Sequence, residues 1–230
     1  MIHLGLDTAS GHGSVALVRG GALAAATPLL ARGAHARDLL ERIDALLASV
    51  GARPADLSGI GVAAGPGSFT GIRIGMATAK GLAYALGIGL AGISTLEAIA
   101  LSAARSLPDA APGVVAVIEA GRGECYASTF GLETGALIRA TPDRAWLPRE
   151  LLDTVPARYV LAGHGTETLI QEAREVGREL PRAMGELPPL AVEIALWASS
   201  SVPPGAGYHA LGLGPNYVRP AGAEAKRRGR

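Results

Sequence analysis

The sequence is poor in cysteine, in aromatic rings and in net charge, and each shortage excludes something. Cys125 is the sole cysteine among 230 residues, so no internal disulfide can form and a cysteine-based zinc site is implausible. That fits a reducing compartment. Lys and Arg number 21 against 20 Asp and Glu, a net charge of +1. Such a balance creates no broad field for nucleic acid or an acidic membrane, and gives no case for autonomous RNA binding. The opening "MIHLGLDTAS" lacks the basic-then-apolar layout of a signal peptide. The best candidate for a membrane span, "LGIGLAGISTLEAIALSAA", is broken by three glycines and carries Glu97. The expectation is a cytoplasmic protein that does not enter a membrane. Aromatic residues make up only 4% of the chain, while Ala, Gly and Leu abound, so packed elements can approach closely.

What is present reads as a mixed α/β chain. "IHLGLDT", "SVALVRG" and "GGALAAATPLL" are three strands joined by short turns, an antiparallel meander. In "AHARDLLERIDALLASVG" the apolar residues recur at helical spacing, and Gly51 ends the helix. "LSGIGVAAG" is a buried strand, "GPGSFTGIRIGMATAKGLA" a loop running into a helix, "GIGLAGIS" a strand, and "STLEAIALSAARS" a capped helix. "LPDAAPG" marks a boundary, after which the pattern recurs. "GVVAVIEAG", "GECYASTFG" and "GALIRAT" form a second meander, followed by "RELLDTV", "RYVLAGHG", "TETLIQEAREVG" and "LAVEIALWASSS". The expected organisation is an N-terminal subdomain over 1–106, a C-terminal subdomain over 107–220, and a basic tail over 221–230.

The loop from Gly65 to Thr70 follows a strand and precedes a helix, as an anion-binding loop requires. Asp7 ends the first strand beside Thr8 and Ser10. With Gly65, Gly67, Ser68 and Thr70 it makes a candidate phosphate loop, the candidate cofactor site. Yet no lysine stands at P-loop spacing, and Thr70 occupies the third glycine position of the dinucleotide fingerprint. The alternative is a tight turn needing glycine backbone angles, with Asp7 as its cap. The five histidines (His3, His12, His35, His164 and His209) lack the spacing of a metal site, and no Gly-x-Ser-x-Gly elbow occurs. Glu119, Arg122 and Glu124 surround a turn between strands, either as a polar site or as exposed hairpin charges. No catalytic residue, metal or cofactor is assigned.

The helix after the loop has Gly71, Gly75, Ala79, Ala83 and Gly87 at steps of four, with Ala77, Gly81 and Ala85 as a second small row. Interior glycine costs about 1 kcal/mol against alanine, so close packing is the natural return. Packing within the fold and packing at a subunit interface both satisfy that requirement.

In order, "GLDTAS", "GPGSFTGIRIGMATAKGLA", "GISTLEAIA", "GRGECYAS" and "PNYVR" resemble the TsaB (YeaZ) family over nearly the whole chain. The resemblance implies an actin/Hsp70/sugar-kinase-like α/β fold of two related, ribonuclease-H-like subdomains with mixed sheets and flanking helices. It implies a non-catalytic partner of the threonylcarbamoyl transferase TsaD. With the ATPase TsaE, the two make threonylcarbamoyladenosine in tRNAs that read ANN codons. tRNA would be met only through the complex, and a homodimer would form in the absence of TsaD. The family's association helices correspond to 35–50 and 71–86. The implied partner-binding residues are therefore His35, Leu39, Arg42, Gly71, Ile74, Gly75, Thr78, Ala79 and Leu82. Where TsaD carries metal-binding histidines in "NHMEGH", this chain reads "STLEAI", placing Thr95 and Ile99 at the two positions. The chain also has Glu119-Ala120-Gly121 where the family reads Asp-Ala-Arg, with Arg122 one place on. The competing reading is an autonomous ATP-dependent phosphotransferase of the same superfamily, using Asp7, the Gly65 loop and Glu119.

Overall fold

The computed structural model describes residues 1–29, 36–107, 111–179, 182–209 and 213–219. His35 and the basic tail 221–230 lie outside the described residues. The first sheet has the order β3-β2-β1-β4-β5. Its meander is β1 (Ile2–Asp7), β2 (Ser14–Arg19) and β3 (Ala22–Pro28), each antiparallel to the next. β4 (Leu57–Gly65) and β5 (Gly89–Ser94) add to it in parallel. Parallel addition needs crossovers. These are α1 (Ala36–Ser49) between β3 and β4, and α2 (Phe69–Leu86) between β4 and β5. α3 (Thr95–Ala104) then leads on.

The second sheet repeats the plan. β6 (Gly113–Gly121), β7 (Glu124–Glu133) and β8 (Ala136–Arg139) form its meander, and β10 (Val160–Ala162) joins β6 in parallel. β9 (Arg144–Trp146) also pairs with β7. α4 (Pro148–Thr154) and α5 (Thr166–Glu175) belong to this part, and α6 (Leu190–Ser201) follows.

The chain divides into two compact units, one of Met1–Ala98 with Pro188–Pro215, the other of Ile99–Leu187 with the stretch from Asn216. The segment 188–215 joins the first unit because α6 packs on the first sheet. The reason lies in the strands. Along β1, Ile2, Leu4 and Leu6 enter the core with Leu39, Ile43 and Leu47 of α1 and Met76, Ala79 and Ala83 of α2. The alternate positions carry Gly5 and, on β4, Gly59 and Gly61. A Cβ on Gly61 would stand 2.9 Å from Ile194 Cγ2 and 3.0 Å from Ala198 Cβ. Glycine on this face lets the α6 backbone lie almost on the sheet, and Ala191, Ala195 and Ala198 supply the matching small side. The start of α6 is fixed there too, as Ala191 N–H donates to the buried Ser14 Oγ at 3.1 Å.

The second unit has its own core of Val115, Val117, Ala127, Leu151, Leu152, Leu161 and Leu169 around Cys125. Burial pushes the Cys125 thiol up to about 11, so it packs as a small apolar residue and not as a nucleophile.

Candidate functional site

The glycine-rich loop is filled by its own neighbour, the turn between β1 and β2. Ser68 N–H donates to Ala9 O at 2.8 Å, and Thr8 Oγ1 donates to Gly71 O at 2.7 Å. Gly67 has φ +153°, and a Cβ there would meet the Ala9 carbonyl carbon at 2.8 Å. A Cβ on Gly71 would meet the Thr8 carbonyl carbon at 2.9 Å, and one on Gly75 would collide with Thr8 Oγ1. Ser68 serves as the α2 N-cap, its Oγ accepting from Gly71 N–H at 3.1 Å, and Thr70 is exposed. The glycines at 67, 71 and 75 therefore make room for backbone and for Thr8.

Asp7 holds that turn. Its carboxylate is fully buried, accepts from the N–H groups of Ala9 and Ser10 at 3.0 Å each, and is bonded by Ser10 Oγ. Burial raises its pKa, although the bonds from Ser10 and Ala9 and the nearby His12 pull the other way. Of the two readings of this region, the capped turn is the one the geometry favours. Lys80, the lysine of α2, gives its Nζ to Leu213 O at 2.7 Å.

The nine implied partner-binding residues separate. His35 is outside the described residues. Leu39, Gly75 and Ala79 are buried in the first unit's own core, and Gly71 is pressed against Thr8. Within the chain, these four small or apolar side chains serve internal packing. Ile74, Thr78 and Leu82 are half-buried, as is Arg42, whose Nη1 donates to Pro28 O at 3.5 Å. The exposed face of α2 is instead Arg73, Ala77, Gly81, Tyr84 and Ala85, which contains the second small row. Tyr84 is 73% exposed and meets Tyr208 edge-on with centroids 5.4 Å apart. Sequence reasoning passed over Tyr84, although a large aromatic on the helix side opposite the core residues was the available signal.

In the second unit the β6–β7 turn runs through Gly121, Arg122 and Gly123, all at left-handed φ (71°, 58° and 75°). Glu119 and Arg122 are exposed, whereas Glu124 pairs with Arg219. Asn216 Nδ2 donates to Asp143 Oδ2 at 2.6 Å, so Asn216 and Arg219 of "PNYVR" are both held to this unit. The hairpin charges of Glu119 and Arg122 thus follow the exposed reading, while Glu124 has a structural one.

At the start of α3, Ser94 Oγ accepts from Glu97 N–H at 3.4 Å. Thr95 and Ile99 are both buried, and Thr95 Oγ1 has no hydrogen-bond partner. Among the described residues no trio of His, Cys, Asp or Glu is placed to hold a metal ion, and no helix is long and apolar enough to cross a membrane.

A family model described as TsaD, tRNA N6-adenosine threonylcarbamoyltransferase, matches residues 23–186. The tRNA threonylcarbamoyladenosine biosynthesis protein TsaB of Bacillus subtilis is 30% identical over 98% of this chain and 97% of its own length. The chain belongs to the TsaB family. YeaZ from Pseudomonas aeruginosa superposes with a TM-score of 0.73 at 28% identity, over 94% of this chain and 99% of that one. The ethanolamine utilization protein EutJ from Carboxydothermus hydrogenoformans shares the fold alone, at 13% identity and a TM-score of 0.51 over 86% and 90% of the two chains. The TsaD description raises the question of a transferase metal in this TsaB-family chain. Thr95 and Ile99 do not fit one: a hydroxyl and a hydrocarbon, both buried, cannot replace two neutral imidazoles on a divalent cation.

Proposed function

We propose that the chain is a non-catalytic subunit of the cytoplasmic machinery that makes tRNA N6-threonylcarbamoyladenosine. It binds and supports TsaD, joins TsaE in the larger assembly, meets tRNA through that complex, and self-associates when alone. The observation that carries the reading is that Thr95 and Ile99, which the resemblance aligns with the metal-binding histidines of TsaD, are both buried and neither offers an imidazole. The closed glycine loop supports it, since the β1–β2 turn takes the place a phosphate would need. The association surface is the exposed side of α1 and α2, centred on Arg73, Ala77, Gly81 and Tyr84.

A phosphotransferase reading is not favoured. Asp7 is committed to the Ala9 and Ser10 amides, and Glu119 projects from an exposed hairpin. The test is reconstitution of tRNA modification from purified TsaD and TsaE, with and without this chain. Product should form at a substantial rate only when the chain is added, and the chain alone should form none. Full activity without it, or ATP turnover on the order of 1 per second by the chain alone, would overturn the proposal.

A further inference from the structure

The chain that follows α6 wraps the edge of the first sheet. Val202 and Ala206 stand over Gly89 of β5, on the α6 side, where an added Cβ would collide with Val202 Cγ1. Leu213 stands over Gly92, three residues on and therefore on the opposite side, and packs against the core beneath α2. β5 ends the sheet, so this segment passes around its outer edge. It touches α2 twice. Lys80 Nζ donates to Leu213 O at 2.7 Å, and Tyr208 meets the Tyr84 ring edge-on, the two planes 84° apart. Lys80 and Tyr84 are four residues apart, so the segment grips one side of the helix.

Tyr84 is the part of that grip that lies outside the core. Its ring is 73% exposed, and Gly81, three residues before it, has open space where a side chain would stand. An exposed tyrosine that swings freely must be ordered when a partner binds, and that ordering weakens the complex. An edge-on neighbour orders the ring in advance. Tyr208 is itself 39% exposed, so the pair adds little to the core. We propose that Tyr208 is a positioning residue for the association surface, holding the Tyr84 ring in one orientation beside Gly81 so that TsaD meets a side chain already ordered. This rests on the reading of α2 as part of the surface that TsaD binds, and it adds a residue that belongs to neither α1 nor α2.

The test is a double-mutant cycle on the full chain, with TsaD binding read by titration calorimetry and folding by Tm. Tyr208→Ala should weaken TsaD binding about fivefold while melting near the wild-type temperature. Tyr208→Phe keeps the ring and should bind like wild type. Tyr208→Leu keeps apolar bulk without the ring, so it should bind like Tyr208→Ala even if the alanine variant loosens the segment. In a Tyr84→Ala background, Tyr208→Ala should change nothing further, because the residue acts through Tyr84. Wild-type binding by Tyr208→Ala and Tyr208→Leu, beside weakened binding by Tyr84→Ala, would overturn the positioning role alone. So would a further loss in the double variant, which would make Tyr208 a direct contact of TsaD. Should Tyr84→Ala itself bind TsaD like wild type, the reading of α2 as the docking surface falls, and the role of Tyr208 falls with it.

Discussion

Gly5 on β1 and Ala195 on α6 stand so close that a Cβ on Gly5 would lie 2.6 Å from Ala195 N and 2.9 Å from its Cβ. Backbone on both sides leaves no flexible side chain to yield. Gly5→Ala should therefore lift α6 from the sheet, and overpacking of this kind costs roughly 1–3 kcal/mol or more. Gly61→Ala should behave alike, since Ile194 and Ala198 stand over it. For a chain of this size each kcal/mol lowers Tm by roughly 2–4 °C. Calorimetry should show a drop of several degrees for either variant. An unchanged Tm would mean that α6 does not rest on these strands.

Gly75 and Tyr84 separate internal packing from association. Gly75→Leu should lose thermal stability, because the new side chain collides with Thr8. Tyr84→Ala should melt at nearly the wild-type temperature, since the ring is largely exposed. Its effect should fall on TsaD binding, weakened roughly tenfold or more if Tyr84 anchors the interface as exposed tyrosines often do. Titration calorimetry on folded variants decides the point. A Tyr84→Ala chain that binds TsaD like wild type would move the interface off this face of α2.

Asp7 should make stability depend on pH. Its folded-state pKa is raised above the ordinary 3.8 by burial. The native chain therefore holds that proton more tightly than the unfolded chain. The associated stability is fully present below pH 3.8 and is lost as pH rises through the folded value. In Asp7→Asn the carboxamide oxygen can still accept from Ala9 and Ser10, and its NH2 can donate to Ser10 Oγ, without titrating. The Tm of Asp7→Asn relative to wild type should climb as pH rises above about 4 and level off once the folded-state pKa is passed. Parallel curves for the two proteins would refute this account of the turn.

Most elements were legible because their apolar residues fall at a period of 2 or 3.6, as in "IHLGLD" and "LLERIDALL". Two relations were not. The row Gly71, Gly75, Ala79 looks the same whether it receives a partner helix or the chain's own Thr8, because both demand small residues. Only the charged and aromatic residues between, Arg73 and Tyr84, mark the solvent side. The return of α6 to the first sheet is a contact between residues nearly two hundred apart. Its trace is the alternate-position glycine of β1 and β4, which leaves a groove only an alanine-rich helix can fill. The glycine loop left two readings open for a related reason: a turn built to hold phosphate and a turn built to hold a neighbouring carbonyl need the same backbone freedom.

Thr95 offers the most direct test of the non-catalytic reading. Its hydroxyl is buried at the head of α3 and finds no protein partner, while Ile99 one turn on is equally enclosed. A buried hydroxyl left unpaired costs on the order of 1–3 kcal/mol, and replacing it by a methyl of the same shape is neutral or stabilising. Thr95→Val should therefore melt at or a few degrees above the wild-type temperature. If the position only packs, the variant should also support tRNA modification in the reconstituted system at the wild-type rate. A stable Thr95→Val chain that bound TsaD normally yet failed to support modification would mean that the hydroxyl takes part in the chemistry. In that event the head of α3 would have to be read as a working site.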